Sequence, residues 1–167
     1  MKIGLLSDSH GHTKRLRAAV EALVDLGAEA IVHCGDILGA DDVKVLGDPG
    51  VPAYLVCGNM DRRPRRLAGA ASECGVAFSR RFVAVPLGNG RYLAALHGDD
   101  TTLLDELVAG GQFPYVCRGH THRAADERHG NVRVICPGAL RHPKHPGRPS
   151  AAVLDTAEDA LTFIKVR

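Results

Sequence analysis

A chain of 167 residues, 45% hydrophobic and 24% charged, has the length of one domain and the balance of a folded globular protein, which excludes a disordered chain. Its formal charge of +2 is too mild to mark a nucleic-acid binder by overall charge, and no apolar run approaches the roughly 18 residues of a membrane span. Aromatic residues make up 4% and tryptophan is absent, so the core has to come from alanine, valine, leucine and isoleucine.

The N-terminal "MKIGLLSDSH" meets polar residues after four apolar ones, without the apolar stretch of a signal peptide, so a cytoplasmic protein is expected. "KIGLL" reads as a strand. In "TKRLRAAVEALVDLG", Leu16, Ala19, Val20, Leu23 and Leu26 share one helical face, with Thr13 expected to cap the start and Gly27 the end. "AIVHC" is the next strand, and strand, helix, strand at this length predicts a right-handed parallel crossover. "AYLVC" continues the series, followed by a helix predicted over 65–74.

The second half has hairpin signals. Gly88, Asn89 and Gly90 separate "FVAVPL" from "YLAAL", Gly130 and Asn131 separate "DERH" from "VRVIC", and "AAVLDTAEDALTFIKV" reads as a third hairpin. A helix is predicted over 101–108, and "YVC" is one more strand. Residues 1–167 therefore read as one mixed α/β domain with two packed sheets and helices outside them. The five cysteines (Cys34, Cys57, Cys74, Cys117 and Cys136) are odd in number, lack a C-x-x-C pair and lie beside apolar runs, as buried thiols of a reducing compartment would.

The strand-like runs end alike. "KIGLL" leads into Asp8 and His10, "AIVHC" into Asp36, "AYLVC" into Asn59, "YLAAL" into His97, and "YVC" into His120 and His122, with glycine beside most of them. In open α/β sheets ligands bind just past the C-terminal ends of strands. Seven such groups exceed the four ligands of a tetrahedral zinc and suit two cations, one carboxylate bridging them. With only Asp8 and Asp36 as charged ligands the centre keeps a net positive charge, which attracts a phosphate.

The series "DSH", "GD", "GN", "HG" and "GHTH", in this order, resembles the calcineurin-like metallophosphoesterase superfamily, in particular its small YfcE-type phosphodiesterases. The likeness continues into "ICPGALRHPK", with Ala139 where the family usually has serine. It implies a four-layer α/β/β/α sandwich with two central mixed β-sheets. It also implies that Asp8, His10, Asp36 and His122 hold one divalent metal, and Asp36, Asn59, His97 and His120 the other. Manganese is the first choice, with iron, zinc and nickel also suited to oxygen and nitrogen ligands. The implied activity is hydrolysis of phosphodiesters, a nucleotide among the candidates, by a hydroxide bridging the metals, with Asp36, Asn59 and His97 as the catalytic residues. Small members of this family often form dimers or larger assemblies.

Departures from the family pattern are informative. "GNMD" places Met60 where many members have a histidine that protonates the leaving oxygen, although the YfcE-type branch also lacks it. His12 is read as a surface or helix-capping residue in preference to a substitute acid. Asp61 is expected to open the next helix rather than to order the Asn59 turn. Residues 62–66, "RRPRR", read as a solvated face rather than a guide for an anionic substrate, with Arg62 kept as the candidate substrate contact beside Asn59. The basic loop "RHPKHPGRP", 141–149, either lines the site or is a connector. The rival function is a metal-stabilised protein-interaction scaffold of the same fold; stable nucleic-acid binding is disfavoured by the scarcity of aromatic residues for stacking bases.

Overall fold

The structure, a computed structural model, describes residues 1–88, 90–144 and 147–167. In chain order the elements are β1 (Lys2–Leu6), α1 (Thr13–Asp25), β2 (Ala30–His33), α2 (Ala40–Gly47), β3 (Ala53–Val56), α3 (Pro64–Glu73), β4 (Ala77–Ser79), β5 (Phe82–Pro86) and β6 (Tyr92–Leu96). They are followed by α4 (Thr101–Gly110), β7 (Tyr115–Cys117), β8 (Ala124–His129), β9 (Val132–Pro137), β10 (Ser150–Asp155) and β11 (Ala160–Lys165). Among the described residues no helix is long and apolar enough to cross a membrane.

Two mixed sheets result. The first runs β11-β10-β1-β2-β3-β4, with β1 to β4 parallel and β10 antiparallel to both neighbours. The second runs β5-β6-β7-β9-β8, with β6, β7 and β9 parallel and an antiparallel strand at each edge. Their period-2 alternation sorts side chains into layers. On β1, Ile3 and Leu5 face the second sheet while Leu6 faces the helices; on β6, Leu93 and Ala95 face inward while Ala94 and Leu96 meet α4. Helices α1, α2 and α3 cover the outside of the first sheet and α4 that of the second, so the α/β/β/α order is the one expected.

Two local points differ from expectation and one agrees. Thr13 is the first helical residue of α1, and the preceding His12 caps it, its Nδ1 accepting from Arg15 N at 3.3 Å. This follows from where the chain leaves the Asp8 loop, one residue earlier than the helical pattern implies. Helix α2 and strand β4 were not anticipated: α2 has eight residues and β4 three, too short for a period to register. The β5–β6 hairpin forms in antiparallel register, closed by Leu87 N donating to Arg91 O at 2.9 Å, although Asn89 lies outside the described residues. So do His145 and Pro146 of the basic loop.

Because β1, β2 and β3 run parallel, and β6, β7 and β9 likewise, six strands deliver their C-terminal loops to one end of the sandwich.

Candidate metal centre

All seven sequence-predicted ligands meet at that end. Asp8 and Asp36 are buried, as is His97, while His10 and His122 are partly covered. Each carboxylate has one oxygen fixed by donors and the other turned to the cluster. Asp8 Oδ2 accepts from Ser7 Oγ at 2.5 Å and His120 N at 3.1 Å; Asp36 Oδ1 accepts from Met60 N at 2.8 Å. The remaining oxygens face imidazoles: Asp8 Oδ1 is 3.1 Å from His122 Nε2 and 3.8 Å from His10 Nε2, and Asp36 Oδ2 is 3.5 Å from His97 Nε2 and 3.8 Å from His10 Nε2.

Two of the imidazoles are held from behind by backbone carbonyls. His97 Nδ1 lies 2.8 Å from Cys34 O, and His122 Nδ1 lies 2.9 Å from His142 O. A carbonyl only accepts, so both Nδ1 atoms carry a hydrogen, and each ring in its neutral form presents an Nε2 lone pair to the centre. His97 Nε2 then faces Asn59 Oδ1 at 3.0 Å, and His122 Nε2 faces His10 Nε2 at 3.3 Å. His120 Nδ1 adds a contact of 3.2 Å to Asn59 Oδ1. Asp8 Oδ1 is buried without an assigned hydrogen-bond partner, with His122 Nε2 at 3.1 Å.

The two buried carboxylates favour positive charge beside them. Burial opposes charge on the His97 ring, yet its hydrogen bond to Asp36 and that carboxylate's charge hold its pKa up to about 9. Burial likewise opposes charge on Asp36, but the His97 hydrogen bond and charge outweigh it and lower its pKa. A divalent cation answers the same demand with lone pairs instead of a proton. The donor set fits such ions. Asp8, His10 and His122 form one group with ligand atoms within 4.8 Å of one another, and Asp8, Asp36 and His97 form a second.

The loops are shaped for this convergence at a cost. Asp8, His10, Asp36, His120 and His122 all have φ between 43° and 65°, the left-handed region that costs non-glycine residues about 1 kcal/mol or more each. Backbone bonds hold them there: Asp8 N to Gly35 O at 3.1 Å, His10 N to Asp36 O at 2.9 Å and Gly119 N to His97 O at 2.9 Å. Gly58 and Gly119 serve through close approach. A Cβ on Gly58 would strike the Asp36 carboxylate, and one on Gly119 would lie 2.8 Å from Asp8 Oδ2 and closer still to Ser7 Oγ.

One expectation is corrected here. Asp61 does order the Asn59 turn: buried, it accepts from Gly58 N at 2.8 Å, Asp36 N at 3.0 Å and Leu38 N at 2.8 Å. It does not open α3, which starts at Pro64, three residues later. Arg62, the candidate substrate contact, lies outside the metal mouth, a cavity of about 430 Å³ whose wall includes His10, Asn59, Met60 and Arg141, and lines the neighbouring cavity instead. Arg141, a member of the basic loop rather than a singled-out contact, stands at that rim, its Nη1 donating to His10 O at 2.8 Å and its N to Asp8 O at 3.0 Å. The signal that could have found it is its position just past the strand run "VRVIC", the sixth parallel-strand end.

Comparison with known proteins shows the family and the fold. A family model described as the calcineurin-like phosphoesterase superfamily domain matches residues 1–159. Phosphodiesterase MJ0936 of Methanocaldococcus jannaschii is 28% identical over 157 residues, covering 93% of each chain. Phosphodiesterase YfcE of Escherichia coli K12 is 23% identical over 171 residues, covering 98% of this chain and 91% of its own. Among solved structures, an archaeal phosphodiesterase is similar with a TM-score of 0.88 at 27% identity, covering 100% of both chains.

Proposed function

Because the chain belongs to the calcineurin-like phosphoesterase superfamily, we propose that it is a metal-dependent phosphodiesterase. Asp8, His10, Asp36 and His122 would hold one divalent cation and Asp36, Asn59, His97 and His120 the other. The observation that carries this is the convergence of buried carboxylates and imidazoles on common points, with one buried carboxylate oxygen left without a hydrogen-bond partner. When bound, such cations supply Lewis acidity to phosphoryl oxygens and lower the pKa of water enough to make it a nucleophile. Manganese is the favoured metal.

The chain's own residues do the rest. Asp36, its Oδ1 fixed by Met60 N, keeps Oδ2 between the two groups of ligands. Asn59 projects from the turn that Asp61 holds, so its amide sits at the mouth to orient a phosphoryl oxygen. Arg141 offers its remaining N–H groups at the rim of the same mouth, where they would neutralise a phosphoryl oxygen. Met60, 41% exposed in the wall of the same cavity, has no proton to give. A missing general acid costs about 10² to 10⁴ in rate, so good leaving groups are favoured.

The test is hydrolysis of bis-p-nitrophenyl phosphate by chelator-treated protein with Mn²⁺ restored, with p-nitrophenyl phosphate run alongside. Mn²⁺-dependent turnover that prefers the diester is expected, and His97→Ala should abolish it. Stoichiometric metal with no turnover of any diester under Mn²⁺, Fe²⁺, Zn²⁺ or Ni²⁺ would instead favour the scaffold reading. Met60→His should raise the rate on an alkyl diester by about tenfold or more, since it supplies an acid that nitrophenolate does not need.

A further inference from the structure

A second cavity of about 400 Å³ adjoins the metal mouth. The mouth is walled by Asn59 and Met60 and this cavity by Gly58, Asp61 and Arg62, so one turn divides them, and His97 reaches both the cluster and the second cavity. Three arginines line it, from two separate segments: Arg62 before α3, and Arg80 and Arg81 between β4 and β5. A solvated helical face would not recruit Arg80 and Arg81 from a turn outside that helix. The other arginines of 62–66 are exposed on or before α3 and do not line the cavity.

Three carboxylates line it as well, matching the arginines in number, and two of them are already engaged. Asp61 is spent on three backbone N–H groups. Asp100 caps α4 by accepting from Leu103 N at 3.0 Å and lies 3.5 Å from Arg81 Nη2. Among the described residues that is the one ion pair made by a lining arginine. Arg62 and Arg80 are left with Asp99, and the side chains of Pro64 and Leu103 provide an apolar part of the wall.

We propose that this cavity is a specificity subsite for a phosphorylated sugar, so that the substrate is a diester, such as an oligonucleotide end, with a second phosphate on one arm. This rests on the phosphodiesterase reading above. The guanidinium forks of Arg62 and Arg80 match a phosphate with paired N–H donors, Asp99 accepts from a sugar hydroxyl, and Pro64 and Leu103 pack on the apolar part of the arm. The scissile phosphate meanwhile stays at the mouth beside Asn59.

The test is calorimetric binding to the full-length, Mn²⁺-loaded protein of dithymidylate with an uncleavable methylphosphonate linkage, with and without a 5′-phosphate. The 5′-phosphate should tighten binding by about tenfold. Arg80→Ala and, separately, Arg62→Ala should each cut that advantage to about twofold or less; both side chains are exposed, so the variants should fold. Equal affinity for the two ligands, or an advantage that survives both substitutions because the phosphate sits on the metals, would overturn the subsite. Bis-p-nitrophenyl phosphate turnover separates the two claims. Turnover without a 5′-phosphate advantage removes the subsite alone, whereas an arginine-dependent advantage without turnover of any diester removes the phosphodiesterase reading and retains the cavity as an anion site.

Discussion

Single side chains in this centre act through what they leave unsatisfied. Asp8 and Asp36 would be ordinary buried carboxylates if both oxygens met backbone or hydroxyl donors; one oxygen of each instead faces imidazole nitrogens. Asp61 is the reverse case, a carboxylate wholly occupied by the backbone around it. Its sequence position beside Asn59 suggests either a helix start or a turn brace, and only the distance to α3 decides between them. Asp61→Ala would orphan three N–H groups in a covered turn, and a loss of about 3 kcal/mol is expected in urea unfolding. Metal content should fall with it, because the Asp36 and Asn59 loops share that brace; a variant with full metal content would contradict this role.

At the scale of elements, the loops that follow β1 and β7 have to touch. Gly119 lies against Ser7, Asp8 and the carbonyl of Cys34, and the absence of a side chain there lets the second sheet's loop dock on the first sheet's. Gly119→Ala is therefore expected to push the Asp8 carboxylate away from its partners, costing about 1–3 kcal/mol and weakening metal binding. Comparing its metal stoichiometry by atomic absorption with wild type decides this; an unaltered value would show that the loops separate without disturbing Asp8. The glycines beside the ligands are legible in the sequence as turn formers, but the close contact between two loops from distant segments is not.

Across the whole molecule, stability is coupled to the centre in two ways. Ligands that bind only the folded chain stabilise it, so Mn²⁺ at about 100 times its dissociation constant should add about 2.7 kcal/mol and raise the melting temperature by about 5–10 °C. Unchanged melting on adding each candidate metal would argue against a folded-state metal site. The second coupling is through His33, fully buried behind the site. Its Nδ1 accepts from Gly35 N at 3.2 Å, so Nε2 carries the proton and donates to Ser9 Oγ at 3.0 Å. Burial pushes its pKa from the usual 6.5 down to about 4, outweighing the opposing charge of Asp8. A histidine kept neutral in the fold contributes its full stability above pH 6.5, and loses it as pH falls from there towards 4 because the unfolded chain takes up the proton. The loss should reach about 2 kcal/mol at pH 5, and His33→Gln should flatten the dependence when unfolding is followed with chelator present.

The sequence by itself determined the layer plan and the ligand types. Near-continuous apolar runs announce strands covered on both faces, the 3.6-residue period of residues 13–27 announces a covering helix, and the polar residue at each run's end is recorded by order alone. Those signals are local. Only the tertiary structure decided that six parallel strand ends meet at one rim, that Arg141 stands at the metal mouth while Arg62 joins Arg80 and Arg81 in the neighbouring cavity, and that Asp61 braces two loops. Those facts depend on contacts between residues far apart in the chain. The left-handed backbone at Asp8, His10, Asp36, His120 and His122 belongs with them, because local propensity opposes it and the surrounding backbone hydrogen bonds impose it.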